Sequence, residues 1–131
     1  MKPQPRPPIG AAGSLRAART TTLHLMAALA GQFDELVAAS AGSNADDEHD
    51  PEGATIAFER SQLRSLMCQA DEALAEIEAA EDRLAQDRYG MCETCGLPIA
   101  PGRLQARPTA RTCLACASAA AGPDGRAVRR A

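Results

Sequence analysis

Between Leu15 and Ser40 the apolar residues Met26, Leu29, Phe33 and Leu36 recur at three- and four-residue steps, which draws one stripe along a helix. Ser14 is a suitable N-cap for that helix and Gly42 a suitable stop, while the β-branched run Thr20-Thr21-Thr22 is its weakest stretch. A second, longer helix is predicted from about Ala54 to Arg88. In it Ile56, Leu63, Ala70, Ile77 and Leu84 fall at strict seven-residue intervals, with Leu66, Ala73 and Ala80 three places after the middle three. That is the seam of a coiled coil. The residues between, 41–53, are polar and acidic. Two striped helices joined by so short a loop fold back as an antiparallel hairpin. Alanines on the seam allow close approach and bury little area, so the hairpin of residues 14–88 is expected to be a slender rod of about 50 Å, with an acidic tip at 41–53. Residues 1–13, with four prolines, two glycines and no apolar period, are expected to be a disordered arm.

After Tyr89-Gly90 the chain changes character. Cys92-Glu93-Thr94-Cys95 and, seventeen residues on, Cys113-Leu114-Ala115-Cys116 are two Cys-x-x-Cys pairs. Their four thiolates can converge on one tetrahedral ion, the geometry of a structural zinc site. Gly96, directly after the second cysteine, suits the φ > 0 conformation that closes such a turn. A redox Cys-x-x-Cys would need a surrounding βαβ pattern and a disulfide framework an exported chain, and neither is evident. Cys92, Cys95, Cys113 and Cys116 are therefore the predicted ligands of one Zn²⁺. Four thiolates leave that ion no open position for water, so it holds the fold and catalyses nothing. The predicted architecture is mainly α: a long antiparallel hairpin followed by a small four-cysteine zinc module at 89–118. One or two helical turns are expected after Cys116, and then a disordered tail at 119–131.

Composition supports a thin fold. Phe33, Phe58 and Tyr89 are the only aromatics in 131 residues, and aromatics usually carry much of a globular core. The net charge of −3 is unevenly placed. Residues 1–33 carry four basic side chains and no acid, 34–90 carry fifteen acids against four arginines, and 91–131 carry six arginines against Glu93 and Asp124. Phosphate backbones would be repelled by the middle and attracted only by the ends. The apolar run Leu23–Ala30 holds eight residues and a histidine, too short for an export signal and far short of a membrane span. A cytoplasmic, non-membrane protein is expected, where thiols stay reduced.

Tyr89-Gly-Met-Cys-Glu-Thr-Cys-Gly-Leu-Pro-Ile, followed by Arg103-Leu-Gln-Ala-Arg-Pro-Thr-Ala-Arg-Thr-Cys113-Leu-Ala-Cys116, closely resembles the four-cysteine zinc finger of the DksA/TraR family of bacterial transcription regulators. With the hairpin upstream the resemblance covers about residues 14–118. It implies a protein that binds RNA polymerase rather than promoter DNA; a non-enzymatic monomer is expected. The coiled-coil tip would enter the secondary channel toward the active centre, and the zinc module would rest on the outer rim. The family's tip pattern Asp-Pro-x-Asp-x-Ala is met here by Asp50-Pro51, with Gly53 and Thr55 at the other two places. Asp50 is thus the predicted partner-binding residue of the tip. Read from the residues alone, Asp50 is equally an N-cap, with Pro51 at the first helical position. The resemblance also implies positions for guanosine tetraphosphate, which here hold Glu76 and Ala117, with only Arg107 matching, so no strong response to that alarmone is expected.

Other residues carry weaker signals. Cys68 lies off the seam and reads as an inert surface thiol. His24 and His49 are remote in sequence from the cysteines. Arg103, Arg107 and Arg111 would give the zinc module a basic face. This supports an alternative function, a zinc-ribbon adaptor that contacts nucleic acid, although direct nucleic-acid binding is not the favoured expectation. A thiol oxidoreductase would need an accessible cysteine of low pKa that turns over disulfides.

Overall fold

The computed structural model describes residues 6–41 and 51–122. Among them are four helices: α1 (Ala11–Ala41), α2 (Pro51–Ala85), α3 (Pro101–Ala106) and α4 (Leu114–Ala121). The chain is mainly α, with the two long helices packed as an antiparallel hairpin and four cysteines gathered after it. Two compact units divide it: Arg19–Ala75, and the start of α1 together with the chain from Glu76 onward. Of the expected tip 41–53, residues 42–50, including Asp50 and His49, lie outside the described residues, as do 1–5 and 123–131, while Ala41 ends α1 and 51–53 open α2.

In the unit Arg19–Ala75, partners on α2 fall in number as those on α1 rise, which defines the antiparallel pairing. Thr22, Leu25 and Leu29 share a hollow of about 180 Å³ with Leu66, Gln69, Ala70 and Ala73. The Arg64 guanidinium sits 5.5 Å from the ring centroid of Phe33, and Arg60 Nη2 donates to Ser40 Oγ at 3.0 Å. The first row of the predicted seam is where the heptads put it: Ile56 and Leu63 are half-buried and Ala70 is buried. Its companion row differs. Arg60, Met67 and Leu74, four places on, are the half-buried set, whereas Leu66 and Ala73, three places on, are exposed; the third member of the expected row, Ala80, is buried as predicted. Positions three and four ahead both flank a seam residue. Here the longer reach of Arg60 to Ser40 and the pliable Met67 settle the choice.

The other unit is built on Leu15, which is 1% exposed. It clusters with Ala11, Ala80, Tyr89, Cys92, Ile99, Leu104 and Ala110, and Leu84, Cys113 and Cys116 pack against that cluster. The helix expected from Ser14 begins at Ala11, so residues 11–13, assigned above to a disordered arm, are helical. Gly10 makes the entry at φ +87. Ala11 N–H donates to Pro8 O at 3.1 Å and Ser14 N–H to Gly10 O at 2.9 Å. Burial of Ala11 in the cluster favours the extra turn.

The far end of α2 also departs from expectation, stopping at Ala85 rather than Arg88. Arg88 N–H reaches Arg83 O at 2.8 Å and Asp87 N–H reaches Leu84 O at 3.3 Å, with Asp87 at φ 55. This is a Schellman turn with aspartate in the left-handed position that glycine normally takes. It turns the chain so that Tyr89 enters the Leu15 cluster.

Three substitutions check these assignments by thermal denaturation. Leu15→Ala should cost about 2–5 kcal/mol by leaving a cavity in the cluster, whereas Leu66→Ala, at 46% exposure, should cost less than about 1 kcal/mol. Asp87→Gly should stabilise the protein by about 0.5–1 kcal/mol, because glycine takes the left-handed conformation without strain.

Candidate metal centre

The first cysteine pair sits in a tight antiparallel turn. Met91 and Pro98 form an isolated β-bridge. Cys92 N–H donates to Leu97 O at 2.9 Å, Gly96 N–H to Cys92 O at 2.9 Å, and Ile99 N–H to Gly90 O at 2.7 Å. Gly96, at φ +74, closes the turn as expected. Gly90, at φ +85, has Leu104 Cδ1 3.4 Å from where a Cβ would stand, so it meets a conformational and a packing requirement together.

The second pair opens α4. Cys113 is its N-cap, and its sulfur accepts from Cys116 N–H at 3.5 Å. The helix therefore includes the second pair instead of starting after it.

Between α3 and α4 the chain from Arg107 to Thr112 has no regular structure, and side chains satisfy its carbonyls. Tyr89 Oη donates to Pro108 O at 2.7 Å, Arg83 Nη2 to Thr109 O at 3.4 Å, and Arg103 Nε to Thr112 O at 2.9 Å. Glu93 N–H reaches Arg111 O at 2.9 Å. Burial pushes the Tyr89 hydroxyl pKa up. It pulls that of Arg83 down, with nearby Arg111 adding to the effect. Arg111 forks onto Glu76 of α2 through Nε at 2.9 Å and Nη2 at 3.1 Å. Its Nη1 lies 3.6 Å from Glu93. Hydrogen bonding to Arg111 holds the Glu76 carboxyl below its ordinary pKa.

These anchors bring the sulfurs of Cys92, Cys95, Cys113 and Cys116 within 4.8 Å of one another. The Cys95 and Cys113 sulfurs are 3.9 Å apart. A tetrahedral zinc with bonds of about 2.3 Å has sulfur–sulfur edges of about 3.8 Å, so the donor set fits one structural Zn²⁺. Cys92 is buried, Cys113 and Cys116 are half-buried and Cys95 is exposed. Hydrogen bonds from the backbone of Cys95 and Cys113 pull the Cys92 thiol down to about 6. The neighbouring thiols Cys113, Cys92 and Cys95 push Cys116 up to about 12. A cation bound among the sulfurs supplies what the deprotonation of Cys116 requires.

Of the other residues singled out in the sequence, Cys68 and His24 are exposed. Arg103 turns to the Thr112 carbonyl and Arg111 to Glu76 of α2 and Glu93, which leaves Arg107 as the exposed member of the supposed basic face. The roles of Glu76, Arg83 and Tyr89 had no sequence signature, because each partner lies 19 to 35 residues away.

Metal analysis should return one zinc per chain. Ligation requires thiolates, so zinc should be retained at neutral pH and released on acidification. Adding zinc to metal-free chain at pH 7 should release protons, since Cys116 is protonated there. A pH-stat titration with a zinc-responsive dye checks both.

Residues 87–120 match the family model described as the prokaryotic dksA/traR C4-type zinc finger. Over 43 residues, 33% of this chain and 30% of the relative, the sequence is 44% identical to RNA polymerase-binding transcription factor DksA of Haemophilus influenzae. It is 40% identical over 43 residues to the protein of the same name in Escherichia coli, 28% of whose length is matched. The chain therefore spans less than a third of the curated relatives it matches. Among solved structures, transcription factor DksA2 from Pseudomonas aeruginosa superposes with a TM-score of 0.59 at 25% identity, covering 88% of this chain and 89% of that one. In its finger, its cysteine cluster and its helical fold this chain is similar to the DksA/TraR proteins.

Proposed function

We propose that this protein is a non-enzymatic transcription regulator that docks on bacterial RNA polymerase in the cytoplasm as a monomer. In this reading Cys92, Cys95, Cys113 and Cys116 ligate one structural zinc. The zinc module rests outside the polymerase, and the tip of the hairpin, with Asp50, enters the secondary channel near the active centre. The observation that carries the reading is the joint occurrence of a DksA/TraR finger at 87–120 and a DksA2-like fold over 88% of the chain. The matched relatives are themselves named RNA polymerase-binding transcription factors. A hairpin ending in an acidic loop suits a partner whose active centre holds divalent cations and basic groups.

The finger's charges bear on the alternative, a nucleic-acid adaptor. Phosphate binding needs unengaged cations, and the best-placed one, Arg111, is shared between Glu76 and Glu93. The polymerase reading is the stronger for it.

Pull-down with core polymerase should recover the protein, and a second secondary-channel protein should compete it away. Binding indifferent to the competitor would reject the channel, and no binding would reject the partner. Asp50→Asn keeps capping ability and removes the charge, so it should retain polymerase binding and lose its effect on promoter output. A gel-shift salt series should show little affinity for free DNA; steep salt-dependent binding weakened by Arg107→Ala would favour the adaptor.

A further inference from the structure

The cysteine cluster is assembled from two turns, and the chain joining them to the helical core carries a charge bridge. Arg111 stands two residues before Cys113, and Glu93 directly follows Cys92. The Arg111 carbonyl accepts from Glu93 N–H at 2.9 Å, so the two turns are tied backbone to backbone at this point. The guanidinium then forks onto both carboxylate oxygens of Glu76, at 2.9 and 3.1 Å, and touches Glu93 at 3.6 Å. One cation thus connects α2 to the residue beside each cysteine pair. A planar fork on a carboxylate fixes direction as well as distance, so Glu76 determines where the Arg111 backbone stands and with it the approach of Cys113 to Cys92.

We propose that Glu76 is a positioning residue for the metal cluster, acting through Arg111. The proposal rests on the zinc reading above and adds a residue that is not a ligand. Outer partners of this kind orient the ligands and raise metal retention without touching the ion. The pair is half-exposed, with side-chain exposures of 40% for Arg111 and 47% for Glu76. Its contribution is therefore modest and weakened by salt.

The test uses the full-length, zinc-loaded protein and follows zinc transfer to a chromophoric chelator. Glu76→Gln and Arg111→Gln should each release zinc about three- to fivefold faster than the parent, within what a half-exposed ion pair supplies. Helicity should be unchanged. Glu72→Gln, an exposed acid on the same helix, should match the parent. The reversed pair, Glu76→Arg with Arg111→Glu, should regain part of the parent rate. Raising salt to about 1 M, where charges are screened beyond about 3 Å, should speed release from the parent and leave Glu76→Gln unaltered, a response that a purely steric role for Glu76 would not give. A Glu76→Gln rate equal to the parent's, or an equal change in Glu72→Gln, overturns the proposal while the zinc assignment stands. A parent that purifies without zinc overturns both.

Discussion

The constraint on which the finger depends is that Cys113 must be delivered to Cys92 by a segment with no helix or strand of its own. Regular structure satisfies backbone groups internally; residues 107–112 cannot do so, and a half-buried carbonyl without a donor costs free energy. The donors come from Arg83 on α2, Tyr89 after it and Arg103 on α3, each reaching a different carbonyl of the segment. Arg107 precedes Pro108, which disfavours continuing α3, so the irregular segment is imposed by the sequence that ends the helix. The metal turns are held by a polar scaffold drawn from residues outside the four cysteines.

That scaffold needs a close-packed floor, and small residues provide it. Ala80 is fully buried, and Ala11 and Ala110 are nearly so. Each has a methyl group where a larger side chain would hold helix and finger apart. Leu15, Tyr89, Ile99 and Leu104 fill the space that remains. Because Tyr89 is both a core residue and the donor to Pro108, the apolar cluster and the polar scaffold are one structure. The Schellman turn at Asp87 matters for this reason: it aims Tyr89 inward directly after α2 ends.

Local patterns were legible in the sequence and long-range choices were not. Two Cys-x-x-Cys pairs identify their own partners, since few other arrangements of four thiols make chemical sense at that spacing. The row Ile56, Leu63, Ala70, Ile77 and Leu84 declared the helix and its buried face by period alone. The companion row went to Arg60, Met67 and Leu74 because an arginine that binds Ser40 across the pair looks, in sequence, like a surface residue. The end of α2 comes before the expected Arg88 because the left-handed residue that stops it is Asp87, where glycine is the usual signal. The Glu76–Arg111 fork had no local trace: its members are 35 positions apart and belong to stretches that differ sharply in charge.

That last point changes how charge along the chain should be interpreted. Summed by stretch, residues 91–131 are basic and 34–90 are strongly acidic, as though the finger offered cations to a partner. Folding pairs the stretches with each other. Glu76, from the acidic part, neutralises Arg111, and Arg83, counted among the few cations of the middle, is buried under the finger with its guanidinium on Thr109. The field a partner meets at the finger is therefore weaker than the linear count suggests, because paired and buried charges contribute little at a distance. A surface of that kind distinguishes poorly among polyanions and suits recognition by shape and by a few exposed groups. The docking proposed above, on a folded protein, asks no more of the finger than such a surface supplies.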